Sequence, residues 1–240
     1  MVSEYQSFLE RKAPALPSFP VEHGELTPSL FPHQSDLTRW ALRRGRAAIF
    51  ASTGLGKSRM SLEWVRHVVE HTGKPALILT PLAVSQQMVE EGAELGVEVT
   101  HCRWSADVKP GVNVTNYDRL HLFDSSMFGG VVLDEASCIK HQDTKRLALL
   151  LEAFSDTPYR LSATATPAPN DYTELGTQAE FLGICTRQEM LAEYFGEVSR
   201  DKLEAMLEQP HRMNQAELYR HQMLRERWSL AYQRKRFGGG

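Results

Sequence analysis

Cysteine is scarce in this chain. Cys102, Cys138 and Cys185 stand far apart, are odd in number and form no Cys-x-x-Cys pair. That excludes a disulfide framework and a cysteine-based zinc site, and leaves plain core or surface thiols. Long apolar runs are missing too. Nothing approaches the roughly 20 residues that cross a bilayer, and no basic stretch followed by an apolar one opens the chain. The expectation is a protein with no membrane segment and a cytoplasmic location. Internal repeats and low-complexity tracts are absent as well.

What is present reads as a globular α/β chain. At 240 residues, 42% hydrophobic and 24% charged, it can bury a core of one large domain or a domain plus an appendage. The net charge of -3 does not advertise nucleic acid, but it hides an acidic body and a basic tail. Residues 1–29 carry Pro14, Pro17, Pro20 and Pro28 and read as an extended lead-in over the surface, with a short helix at 4–12. A helix follows with Leu37, Trp40, Ala41 and Leu42 on one face and Gly45 to end it. Apolar runs of strand length then recur at 46–50, 76–80, 97–101, 112–116, 131–133 and 160–164. Helical patterns at 57–69, 82–95 and 144–154 separate most of them. Such alternation predicts a mostly parallel sheet with helices on both faces. Beyond Asp171 helix formers dominate, and a basic helix from Asn214 to about Arg236 interleaves Tyr219, Trp228 and Tyr232. That helix reads either as amphipathic, with solvated arginines, or as a nucleic-acid contact. The expected division is 1–29, 30–183 as the α/β lobe, and 184–240 as a helical C-terminal extension.

One stretch organises the rest. Ala51, Ser52, Thr53, Gly54, Leu55, Gly56, Lys57 and Ser58 join the first strand to a helix. A glycine-rich turn there aims backbone N–H groups and a helix N-terminus at one point, which favours an anion. Lys57 adds a positive charge, and Ser58 offers a hydroxyl to magnesium. The other reading is an ordinary Gly-rich turn. Asp134 and Glu135 end a buried strand, where ligands bind in open parallel sheets. Asp134 can hold magnesium there and Glu135 can orient and deprotonate a water; the other reading is a solvated acidic pair.

Four stretches in order give a family resemblance: Phe31-Pro32-His33-Gln34, Ala51–Ser58, Asp134-Glu135-Ala136-Ser137 with Ile139-Lys140, and Thr164-Ala165-Thr166-Pro167-Ala168-Pro169-Asn170 with Glu174-Leu175. Together they resemble the first motor lobe of a superfamily 2 helicase or translocase, DEAD/DEAH-box-like and of the Swi/Snf branch. In that branch alanine at the head of the phosphate loop is usual. Ser162-Ala163-Thr164 also resembles the DEAD-box coupling motif, but the alignment starting at Thr164 extends further. The resemblance implies a RecA-like P-loop NTPase domain that hydrolyses ATP to ADP and phosphate with ATP and Mg2+ bound. It further implies that Gln34 reads adenine and that Thr164 and Thr166 couple nucleotide state to nucleic-acid grip. Pro81, Thr115 and Asn116 match motifs that touch a sugar-phosphate backbone. The implied partners are nucleic acid, duplex DNA before RNA, and a second RecA-like lobe, in cis downstream or in trans, that supplies an arginine finger. Ser137 departs from the usual His or Asp. Two other functions stay open: a single-lobe regulatory or interaction module or truncated product without competent turnover, and a small-molecule kinase.

Overall fold

The structure, a computed structural model, describes residues 18–138, 144–167 and 175–190. The motif residues 139–140, 168–170 and 174, the helix read at 4–12, the helical pattern beyond 190 and the basic segment 214–236 lie outside the described residues.

Helix α1 (Pro32–Arg44) starts on a proline at its first position and ends at Gly45, whose N–H donates to Ala41 O at 2.8 Å. Gly45 lies at φ 68°, and a Cβ there would run into the Phe19 carbonyl, so only glycine makes this turn into strand β1 (Arg46–Phe50). The exposed loop 51–56 leads into helix α2 (Lys57–Thr72). Then follow β2 (Ala76–Thr80), a 3-10 turn, α3 (Ser85–Leu95), β3 (Val99–His101), β4 (Val112–Asn116) and β5 (Gly130–Asp134). Last come α4 (Thr144–Ala153), β6 (Tyr159–Thr164), α5 (Leu175–Phe181) and a four-residue helical turn, Arg187–Met190.

All six strands pair in parallel, in the order β1-β6-β5-β2-β4-β3. Because successive side chains alternate across a strand, the sheet buries two separate cores. Ile49, Ile78, Val114, Val132 and Leu161 face Leu42, Met60, Trp64, Val65 and Met88. Leu77, Leu79, Val131 and Leu133 face Leu150, Phe154 and Phe181. The α/β class and the parallel sheet therefore match the sequence pattern.

Two expectations change. The inner stripe of α1 is Gln34, Thr38, Ala41 and Leu42, while Leu37 and Trp40 are on the exposed side. Two polar residues sit inside, and that rotates the face away from the one read from apolar residues alone. Residues 18–30 are also part of the packing: Phe19 N donates to Arg44 O at 3.0 Å, Val21 N to Leu42 O at 2.9 Å, and Val21, Leu26 and Leu30 are buried. The unit that contains the sheet runs to Met190. Among the described residues no helix is long and apolar enough to cross a membrane.

Candidate nucleotide site

The strand order builds the site. β1, β6 and β5 are neighbours, with Phe50 in register with Thr164 and Ala163 with Asp134. Loops that follow residues 50, 134 and 164 thus emerge side by side at the C-terminal edge of the sheet, although they are remote in sequence.

The first of these loops is an open arch. Ser52, Thr53, Gly54 and Leu55 are exposed, whereas Lys57 is buried. Gly54 and Gly56 take φ 82° and 77°, a region costly for other residues. A Cβ at Gly56 would collide with the Gln34 side chain, which lies beneath the arch, while nothing stands within 4 Å of a Cβ at Gly54. The Gln34 amide spans the loop: Oε1 accepts from Phe31 N at 3.0 Å and Nε2 donates to Leu55 O at 3.1 Å. Helix α2 then begins at Lys57 with no side-chain cap and no acidic residue in its first turn. Its leading N–H groups have no intrahelical acceptor, so together with the helix dipole they form an anion cradle. Ser58, next in line, is half-buried.

The second loop carries the acids. Asp134 is 3% exposed and is held by Thr80, whose Oγ1 donates to Oδ2 at 3.1 Å. Tyr117 fixes the same residue's backbone, its hydroxyl donating to Asp134 O at 2.7 Å. Burial pushes the Asp134 carboxyl up to about 6, and the nearby Glu135 charge adds to this, against the opposing effects of Thr80 and Lys57. A buried carboxylate short of positive partners is a fitting ligand for a cation. Glu135 sits at φ 49°, the left-handed region, a strain of about 1–2 kcal/mol for a residue with a Cβ. Its Oε1 lies 3.8 Å from Lys57 Nζ. Backbone strain of this kind persists only where the surroundings hold it, and it clusters at functional sites.

The third loop closes the group. Thr164 O accepts from Ala51 N at 3.2 Å, joining β6 to the head of the phosphate loop, and Thr164 Oγ1 accepts from Thr166 N at 3.1 Å. An anion cradle, a lysine and a cation-seeking carboxylate thus share one edge, and these residues fit a magnesium nucleotide.

The residues matched to backbone-contact motifs lie just after β2 (Pro81) and at the end of the neighbouring β4 (Thr115, Asn116). Thr115 is fully buried and its hydroxyl donates to Cys102 O at 2.9 Å, which leaves it no open face for a phosphate. Asn116 is buried, with Oδ1 lacking a hydrogen-bond partner. Pro81 is half-buried beside Leu82, which is well exposed. Sequence reasoning missed three polar supports. Thr80, which ends β2 just before Pro81, serves Asp134. Tyr117 was not singled out for its hydroxyl. Gln178, on α5, binds Ser162 Oγ at 2.7 Å and Pro167 O at 3.1 Å. None of the three left a local signal, and Gln178 shares the buried side of α5 with Gly176, Thr177 and Phe181.

No protein-family model matches the sequence, and no curated protein does. Solved structures do match. A SWI2/SNF2 ATPase core from Sulfolobus solfataricus, solved in complex with dsDNA, superposes with a TM-score of 0.61 at 20% identity. That superposition covers 78% of this chain and 44% of that one. The fold is RecA-like, as in helicase ATPase cores. The UvsW helicase of bacteriophage T4 matches in two structures. One has a TM-score of 0.53 at 16% identity, covering 75% of this chain and 66% of that one. The other has 0.55 at 12%, covering 86% and 46%. The chain thus spans between about two fifths and two thirds of the helicase cores it resembles.

Proposed function

We propose that this chain is the ATP-binding and ATP-hydrolysing motor lobe of a nucleic-acid-dependent translocase, acting on duplex DNA together with a second RecA-like lobe. The observation that carries the reading is the convergence of Lys57, Asp134 and Glu135 at one sheet edge beside an uncapped helix N-terminus. Lys57 and the loop N–H groups would hold the β- and γ-phosphates, and Ser58 and Asp134 the magnesium ion. The ion would neutralise phosphate charge and orient the γ-phosphate. Glu135 would leave Lys57 when phosphate arrives, and its carboxylate would then orient and deprotonate the attacking water. Gln34 would meet adenine through its second Oε1 lone pair and second Nε2 hydrogen, the first of each being taken by Phe31 N and Leu55 O. Thr164 and Thr166 would couple the nucleotide to nucleic-acid grip, with Pro81 and Asn116 on the nucleic-acid side. The likeness to a core solved with dsDNA supports the choice of DNA.

Turnover measured with and without duplex DNA tests the assignment. Glu135→Gln is expected to bind ATP as the parent does and to hydrolyse it about a hundredfold more slowly or worse. Hydrolysis at the parent rate would sink the role given to Glu135. A nucleotide-binding module without turnover is favoured by one observation, the 3.8 Å Lys57–Glu135 contact, which engages the acid that the turnover reading assigns to the water. DNA-stimulated hydrolysis by the unaltered chain would exclude it.

A further inference from the structure

Gln178 is buried, and both ends of its amide are in use. Oε1 accepts from Ser162 Oγ at 2.7 Å, and Nε2 donates to Pro167 O at 3.1 Å. Ser162 belongs to β6, and Pro167 ends the turn that begins at Thr164. That turn is tied within itself by Thr166 N to Thr164 Oγ1, and to the phosphate loop by Ala51 N to Thr164 O. Hydrogen bonds joined by the backbone of residues 164–167 therefore link α5 to the head of the phosphate loop. Both ends of α5 are fastened as well: at the C-terminal end Arg160 Nη1 donates to Phe181 O at 2.7 Å, and at the N-terminal end Gly176 packs too close to Arg187 to admit a Cβ. An amide buried on a helix face is costly unless satisfied, and an apolar side chain would fill this site more simply. What the amide adds is simultaneous acceptance from the strand and donation to the loop that follows it.

We propose that Gln178 is a positioning residue that fixes the Thr164–Pro167 turn against the phosphate loop, so that a nucleotide bound in the loop stabilises α5. The proposal rests on the ATP-binding reading above. Occupation of the cradle orders the loop at Ala51, the Ala51–Thr164 bond carries that order into the turn, and Gln178 carries it into α5.

Hydrogen exchange of the full chain with and without magnesium ADP reads this directly, peptide by peptide. In the parent protein the nucleotide is expected to slow exchange in the phosphate loop and in peptides covering α5. Two variants separate the bonds. Gln178→Glu still accepts from Ser162 but in its ionised form cannot donate to Pro167 O, so exchange is followed at alkaline pH, whereas Gln178→Met fills the space and makes neither bond. Both are expected to keep nucleotide protection of the loop and lose it in α5, with nucleotide affinity unchanged and turnover reduced. Thermal melts followed by circular dichroism identify any variant that fails to fold, and the other then decides. Equal protection of α5 in the parent and the variants would overturn the proposal. Loop protection without α5 protection in the parent would overturn this inference alone, while no loop protection in the parent would overturn the ATP-binding reading and this inference with it.

Discussion

At the scale of single residues, Asp134 is where folding and binding oppose each other. Its carboxyl moves from 3.8 to about 6 because it is buried beside Glu135. A raised folded-state value means that ionisation disfavours the fold. The stabilising contribution of the protonated form is complete below 3.8 and is lost as the pH rises through about 6. At neutral pH the cost is up to about 3 kcal/mol. Asp134→Asn is therefore expected to raise the urea midpoint of the ligand-free protein at pH 7 and to abolish the magnesium dependence of nucleotide binding. Urea melts and calorimetry with and without magnesium check both; a less stable variant with intact magnesium dependence would refute the account. The loop residues Gly54, Gly56, Lys57 and Ser58 were legible in the sequence because their order alone dictates a turn, a cradle and a helix start. Thr80 and Tyr117 were not, because they reach Asp134 from β2 and from the turn after β4, across strands whose adjacency no local pattern encodes.

At the scale of elements, α2 both presents the phosphate loop and anchors the segment before α1. Its apolar stripe, with Met60, Val65 and Val68, followed the helical period, but the same helix buries Glu63 and His67. Glu63 Oε1 accepts from Thr27 N at 2.8 Å and from Arg66 at 2.8 Å, and its Oε2 accepts from Thr27 Oγ1 at 2.8 Å. His67 Nε2 lies 3.3 Å from Oε1. Burial alone would raise this carboxyl, but the bonds from His67, Arg66 and Thr27 outweigh it and hold the group well below the usual carboxylate range. The contribution is thus full above about 4.5, the ordinary value, and is lost as the pH falls through the folded-state value. Glu63→Ala should cost about 3–5 kcal/mol, since it strands buried partners, and should expose residues 18–30 to protease. Parent and variant should also converge in stability at acid pH, as the parent's carboxyl protonates. An unchanged urea midpoint at pH 7, or cleavage sites unaltered in that segment, would contradict this. Within residues 18–30, read as surface lead-in, Thr27 is clamped to α2 by one carboxylate, and a polar clamp of this kind leaves no periodic signal.

At the scale of the whole molecule, strand alternation made the parallel sheet legible, but not which strands are neighbours. The observed order gathers β1, β6 and β5 on one side and β2, β4 and β3 on the other. The phosphate loop, the acids and the Thr164 turn fall together on the first side. Pro81 and Asn116, matched to nucleic-acid motifs, fall on the second. The proposed function assigns the first side to the nucleotide and the second to nucleic acid, and Thr80 on β2 joins the two through its bond to Asp134 on β5. The central claim is that the edge binds a magnesium nucleotide through Lys57. Titration calorimetry of the parent protein and Lys57→Ala with magnesium ATP tests it most directly. The account predicts saturable one-to-one binding by the parent and a loss of about a hundredfold or more in the variant. A parent that does not bind, or a variant that binds as tightly as the parent, would contradict it.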